Sequence, residues 1–259
     1  MDVDLLVDGA WLGLGAAGAR RLGVALRGRC DEAGELGARR GGEPPVPDDL
    51  FAAIRVAEEF YAERGAPCAF SIGAGAPPGL DRALDARGYA LVDPTVVMSG
   101  TISGEPVVPV RVEPRLWRGW LEAWWEVDGR YGTGLEAAER IVTGVPALYA
   151  AVEEDGAPVA VGRGVPQGDT LGVYCMATLP SARRRGLARA VLRALAVESG
   201  MRSAYLVVTE RNTAARNLYR SEGLEQKGGY HYRVRSTTDP RPPAPEAGAA
   251  RVRSRTVGA

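Results

Sequence analysis

The chain has 259 residues, 46% of them hydrophobic, with 32 basic and 32 acidic side chains and a formal net charge of zero. That is enough apolar material for one large or two small packed domains, and the even charge balance argues against a globally basic binder of nucleic acid or membrane surfaces. No apolar run approaches a bilayer span, and Cys30, Cys68 and Cys175 form an odd set without C-x-x-C spacing, which points to a reduced, cytoplasmic setting.

Leu5 to Cys30 is mostly helical in pattern. Its apolar stretch from Ala10 to Ala19 follows Asp2, Asp4 and Asp8 instead of a basic start, so it reads as a globular helix and not as a secretory signal. Gly41 to Pro47 is a loop, and Asp48 or Asp49 can cap the next helix, marked by Leu50, Phe51, Ile54, Phe60 and Tyr61 and stopped near Gly65. Cys68 to Ile72 predicts a strand, Gly73 to Pro78 a turn, Leu80 to Ala86 a short helix, Arg87-Gly88-Tyr89 its stop, and Ala90 to Met98 a second strand.

Residues 101–106 read as a linker, and Val107 to Val112 as the strand that opens a second domain. Arg115 to Asp128 predicts a helix carrying Trp117, Trp120 and Trp124 on one face, with Trp125 at its margin. Leu135 to Thr143 is a further helix. Leu148–Glu153 and Pro158–Gly164 form a hairpin through Asp155-Gly156, and Gly168-Asp169 turns the chain into the strand Leu171–Thr178. Then Arg183-Arg184-Arg185-Gly186 leads into a helical pattern in which Leu187, Val191 and Leu195 recur every four residues. A strand that feeds a basic glycine turn opening a helix presents successive backbone N–H groups, dipole and full positive charge together, and so suits a pyrophosphate. Ala204 to Thr209 is the next strand, followed by Asn212-x-x-Ala215-x-x-Leu218-Tyr219-x-x-x-Gly223, a closing strand or strands over Gln226–Val234, and an aperiodic Pro-, Ala- and Arg-rich tail from Ser236 that is expected to be flexible.

Arg183-x-x-Gly186-x-Ala188 resembles the R/Q-x-x-G-x-G/A signature of the GNAT acetyltransferase superfamily, and the segment from Asn212 to Gly223 is similar to its second coenzyme-side motif at the usual separation. The resemblance implies an α/β (α+β) fold with a twisted, mostly antiparallel mixed sheet flanked by helices, and acetyl-CoA as acyl donor. It implies that Met176, Ala177 and Thr178 hold the pantetheine arm through free backbone groups, and that Arg183, Arg184, Arg185, Gly186, Leu187 and Ala188 hold the pyrophosphate. Asn212, with Ala215 in the same motif, bonds the pantetheine or caps the helix. Tyr219 is the proton donor to the leaving thiolate, or a packed tyrosine. The first two helices of the fold wall the acceptor pocket, which makes Trp124, Trp125 and Tyr131 candidates for substrate contact, with core packing as the alternative. No metal is expected.

Sliding the first half by 135 positions places Gly88 on Gly223, Leu80 on Ala215, Leu84 on Tyr219 and Pro77 on Asn212. The halves then share a strand–turn–helix–Gly–strand pattern, which suggests two GNAT-like domains: a degenerate one over 1–100 and a coenzyme-binding one over 107–235, before the 236–259 tail. The general base stays unassigned. Val207 stands where many relatives carry a glutamate, and Glu210, Glu126, Asp128, Glu153 and the single histidine, His231, are the remaining candidates. The activity expected is acetyl transfer to the amine of a small molecule, amino acid or peptide by direct attack in a ternary complex. The other reading is a non-catalytic acyl-CoA-binding sensor or scaffold. A monomer or homodimer without nucleic-acid or membrane partners is expected.

Overall fold

The computed structural model describes residues 48–63, 65–129 and 134–235. The expected helix over 5–30, the loop over 41–47, Tyr131 and the tail from Ser236 lie outside the described residues. The described elements are helix α1 (Asp48–Ala62), strand β1 (Cys68–Ile72), helix α2 (Leu80–Ala86), strands β2 (Ala90–Thr101) and β3 (Arg111–Glu113), helices α3 (Arg118–Asp128) and α4 (Leu135–Thr143), strands β4 (Leu148–Glu154), β5 (Ala157–Gln167) and β6 (Thr170–Thr178), helix α5 (Leu187–Ser199), strand β7 (Ser203–Thr209), helix α6 (Thr213–Ser221) and strand β8 (Leu224–Arg235).

All eight described strands join one mixed sheet in the order β1-β8-β2-β7-β6-β5-β4-β3. Two separate GNAT-like domains, each around a sheet of its own, are therefore not what forms. The reason lies in the ladder: β2 does not close a first sheet but pairs antiparallel with β7 from Thr95↔Thr209 to Thr101↔Ser203. Chain compactness still divides the described residues into two units, Asp93–His231 and the remainder, 48–92 with 232–235.

In the unit Asp93–His231, two cores lie on opposite sheet faces because strand residues alternate. Ala150 and Val152 of β4, Ala160 of β5 and Leu171 and Val173 of β6 pack with Leu187, Val191, Leu192 and Leu195 of α5. Tyr149 and Ala151 of β4 and Val161 and Val165 of β5 pack instead with Trp120, Leu121 and Trp124 of α3 and with Ala138 and Val142 of α4. Each fully buried leucine or valine of the α5 stripe contributes about 1.5–3 kcal/mol. The Trp120 indole N–H is satisfied by the Ala150 carbonyl at 2.9 Å, so this large side chain can be buried completely.

In the other unit, Ile54, Ala57 and Tyr61 of α1, Phe70 and Ile72 of β1, and Leu80, Ala83 and Leu84 of α2 are buried together with Tyr89. The Phe70 and Tyr89 rings meet edge to face at 5.6 Å. The buried Arg233 guanidinium is compensated by Asp81 at 2.7 Å and Asp85 at 2.6 Å.

Several boundaries differ from expectation. β2 runs on to Thr101, and Ile102 is fully buried with its N–H on the Arg202 carbonyl at 2.8 Å, so 101–106 is only partly a linker. β3 is limited to Arg111–Glu113, the residues that meet Ala151–Tyr149 of β4. Helix α3 starts at Arg118, after an extended Trp117 at its N-cap. The closing segment is one continuous strand from Leu224 to Arg235. The expected repeat has a counterpart in chain order: β1, α2, Gly88, β2 and β7, α6, Gly223, β8 run alike, with φ of +81° and +91° at the two glycines.

Candidate active site

The site is built where β6 and β7 part. They pair in parallel only at Leu171↔Ala204, Gly172↔Tyr205 and Val173↔Leu206. Beyond Val173, β6 keeps β5 as its partner through Thr178, while β7 keeps β2 through Thr209. The two strands are unpaired with each other beyond that point, and Met176, Ala177 and Thr178 lie on this stretch of β6. Their inner backbone groups have no strand to bond, which is the arrangement an extended ligand arm can complete.

The β5–β6 register slips just past the apex. Arg163↔Tyr174 is followed by Val161↔Ala177, so two steps on β5 face three on β6. This is a β-bulge, and Cys175 within it adopts φ +53°. A bulge bends the strand and re-aims its side chains. Met176 accordingly packs with the α5 core, and Tyr174 and Cys175 with the tryptophan core. Cys175 and Met176 do face opposite ways, as alternation predicts. Gly162 opposite the bulge makes room: a Cβ there would come within 2.7 Å of Val191 Cγ1 and closer still to Met176 Sδ.

At the far end of β6 a single 3₁₀ turn, Pro180–Ala182, leads into the arginine turn. Arg184 has φ +66° and Gly186 φ +79°, and Gly186 is the N-cap of α5 without any side-chain cap. A turn with left-handed residues that opens an uncapped helix points successive N–H groups outward and forms an anion-binding concavity. Arg183, Arg184, Arg185 and Gly186 are all exposed, Leu187 is buried and Ala188 partly so. Arg183 Nε donates to the Thr178 carbonyl at 3.1 Å and tethers the turn to its strand. Arg185 forms a bidentate pair with Glu154, at 3.1 and 2.5 Å, which holds its guanidinium charge more firmly. Arg184 makes no hydrogen bond or ion pair with a described residue, which leaves it the more available cation of the two.

Asn212 is the N-cap of α6: its Oδ1 accepts from the Ala215 N–H at 3.1 Å. The capping role is thus present, and the exposed side chain keeps its amide N–H₂ for other use. Tyr219, 6% exposed, sits in the α5 core, and burial pushes its pKa up to about 12. Its hydroxyl bonds to no described residue. The phenol therefore keeps its proton at neutral pH and has no described acceptor for it.

Trp124 is 5% exposed and lies 6.2 Å from the Trp120 ring and 5.6 Å from that of Trp125. It is a core residue, while Trp125 is half-buried at the cluster margin. Trp117 lies under the Arg111 guanidinium at 4.3 Å. Among the candidate bases, Glu153 is paired with Arg111 at 3.3 Å, Glu126 and Glu210 are exposed, and Val207 lies on β7 opposite Val97. The sequence reading missed a cluster near the apex. The Tyr174 and Tyr205 hydroxyls share a hydrogen bond of 2.5 Å, Tyr205 donates to Gln167, and the buried Arg163 lies beside Tyr174. The available signal was one charge inside the apolar run Val159–Val165.

Comparison with known proteins bears on the fold. A model described as "Acetyltransferase (GNAT) family" matches residues 114–224. The GCN5-related N-acetyltransferase from Sphaerobacter thermophilus has a similar fold, with a TM-score of 0.56 at 22% identity over 71% of this chain and 67% of that one. The GCN5-related N-acetyltransferase from Kribbella flavida gives 0.51 at 22% identity over 74% and 79%. A tandem GNAT protein from the clavulanic acid biosynthesis pathway gives 0.53 at 12% identity over 71% and 69%. No curated protein matches the chain. The structural likeness covers a larger share of the chain than the matched segment, and concerns the fold. Residues 114–224 thus match the GNAT acetyltransferase family model, and the wider chain shares the fold of these solved structures.

Proposed function

We propose that the protein is an acetyl-CoA-dependent N-acetyltransferase acting on a small amine, amino acid or peptide. The observation that carries this reading is Tyr219: a neutral phenol, held in the core and without a described partner, on the helix that Asn212 caps beside the splayed strands. Acetyl-CoA supplies an activated thioester whose acetyl group passes to a neutral amine.

This chain's residues have distinct tasks in that transfer. Arg183 to Ala188 bind the pyrophosphate through backbone N–H groups, helix dipole and the Arg184 charge. Met176 to Thr178 orient the pantetheine arm along the open edge of β6. A backbone N–H at the bulge near Met176 stabilises charge on the thioester oxygen, in the manner of an oxyanion hole. The C–S bond breaks as the amine nitrogen bonds to the acetyl carbon; Tyr219 gives its proton to the leaving sulfur, the nitrogen releases a proton to solvent, and solvent reprotonates Tyr219. Trp125, half-buried at the margin of the aromatic core, and Tyr131 contact the acceptor, while Trp124 stiffens the wall behind them. The first strand–helix–strand segment is a degenerate counterpart of the second and carries no coenzyme apparatus: Pro77 and Leu84 replace the capping asparagine and the tyrosine.

A non-catalytic acyl-CoA-binding module is the second reading. It is favoured by the absence of a carboxylate at Val207. Release of free CoA from acetyl-CoA on a panel of amines, amino acids and short peptides separates the two. Amine-dependent release supports the transferase; tight acetyl-CoA binding with no release on any amine supports the binding module.

A further inference from the structure

Of the three buried charges among the described residues, two are compensated. Glu222 accepts from Arg189 at 2.5 Å and from Arg193 at 2.6 Å, and Arg233 lies between Asp81 and Asp85. Arg163 is different. It is 7% exposed on β5, between Val161 and Val165 on the sheet face that packs against α3 and α4. No described carboxylate pairs with it. Nη2 reaches the Val145 carbonyl at 3.4 Å, a long contact, and Nε is sealed from solvent with no hydrogen bond. Its cross-strand neighbours are Tyr149 and Tyr174, and its guanidinium lies 5.9 Å from the Tyr174 ring.

A guanidinium offers five N–H donors, and this one uses a single donor weakly. Burying a permanent charge without a counter-charge is costly, and an apolar side chain would fill the same strand position better. A residue kept under those conditions is explained by an anion that arrives from outside the protein. Position says which one. Tyr174, opposite Arg163, is the first β6 residue beyond the pairing with β7 and directly precedes the bulge at Cys175. The arginine turn lies past the other end of the bulge, at the C-terminal end of β6, and α5 covers the opposite face. A coenzyme arm entering from that turn leaves the Arg163 side for the second substrate. Close by, the hydroxyl chain Tyr174–Tyr205–Gln167 supplies further polar groups.

We propose that Arg163 is the counter-ion for the acceptor: the amine substrate carries a carboxylate, taken by the guanidinium fork, so that the accepted class is free amino acids or peptides ending in a free carboxylate. This rests on the acetyl-transfer reading above. A planar carboxylate matches the fork geometry, and burial makes the pairing selective against neutral isosteres.

The test compares free CoA release from acetyl-CoA with amino acids and with their amides as paired acceptors, in the full-length protein and in Arg163→Met and Arg163→Lys. The native protein should prefer the acids by at least about 10-fold in kcat/KM. Arg163→Met should erase that preference by raising KM for the acids at least about 10-fold more than KM for the amides, and Arg163→Lys should keep part of it. The melting temperature of Arg163→Met should not fall, since the charge it removes has no carboxylate partner among the described residues. Equal use of acids and amides by the native protein overturns the proposal while leaving acetyl transfer standing. Arg163→Met losing stability and both acceptor series alike also overturns it, because Arg163 is then structural. No release with any amine overturns the transferase reading and this inference with it.

Discussion

Two strand–helix–strand segments in this chain share a plan and differ in chemistry. In the first, β1 leads to α2, whose N-cap is Gly79 with φ +79° and no side-chain hydrogen bond. Leu84 on that helix is fully buried. In the second, β7 leads to α6, where Asn212 caps the helix end and Tyr219 stands where the 135-residue offset places Leu84. The second is preceded by β6, which leaves β7 after Val173, and by the arginine turn. The two segments thus run alike in element order while the side chains at the matched positions differ. The Asn212 cap stabilises its helix, whereas a buried phenol hydroxyl without a described partner is an exception to local rules of the kind that concentrates at functional sites.

The sharpest way to break the comparison is at the turn that has no counterpart in the first segment. Gly186→Val places a β-branched residue at φ +79°, where an L side chain costs roughly 1–2 kcal/mol and the turn must move to relieve it. No described residue lies within 4 Å of the added Cβ, so folding should survive and the loss should fall on the anion site. The acetyl-CoA Kd should rise on the order of 100-fold or more by calorimetry. Unchanged affinity in the folded variant would remove the phosphate-cradle assignment.

The next effect is on chemistry alone. Tyr219→Phe removes one hydroxyl that bonds to no described residue, so melting temperature and coenzyme affinity should barely change. The kcat should fall on the order of 100-fold with KM little altered, as expected for losing a general acid. With the phenol pKa raised to about 12 by burial, native activity should show no alkaline fall from this group until the pH nears that value. Wild-type kcat in Tyr219→Phe, with acetyl transfer shown to be rate-limiting, would return Tyr219 to the status of a packing residue. The smallest effect on chemistry belongs to the matching position: Leu84→Ala should leave turnover intact and cost about 2–5 kcal/mol of stability in denaturant unfolding.

Much of the second segment was legible because its signals are local. The period-four stripe from Leu187 to Leu195, the arginine–glycine turn and the Asn212 cap are all readable within one or two helical turns. The α2 and α4 boundaries coincide with their apolar patterns for the same reason. What could not be read is long-range. The bulge at Cys175 arises from a register slip against β5, 14 residues away in the chain at Val161. The single sheet depends on β2 pairing with β7, more than a hundred residues later. Trp124 and Trp125 are neighbours in sequence, yet only packing shows that one is core and the other marginal. Arg163 was visible as a charge in an apolar strand, but that it lacks a described carboxylate is a tertiary fact.

The central claim is that the coenzyme apparatus exists once, in the segment with the splayed strands and the arginine turn. Titration of the full-length protein with acetyl-CoA in a calorimeter tests it most directly. The account predicts one site per chain, lost in Gly186→Val and retained in Leu84→Ala; two equivalent sites per chain, or binding that survives Gly186→Val unchanged, would contradict it.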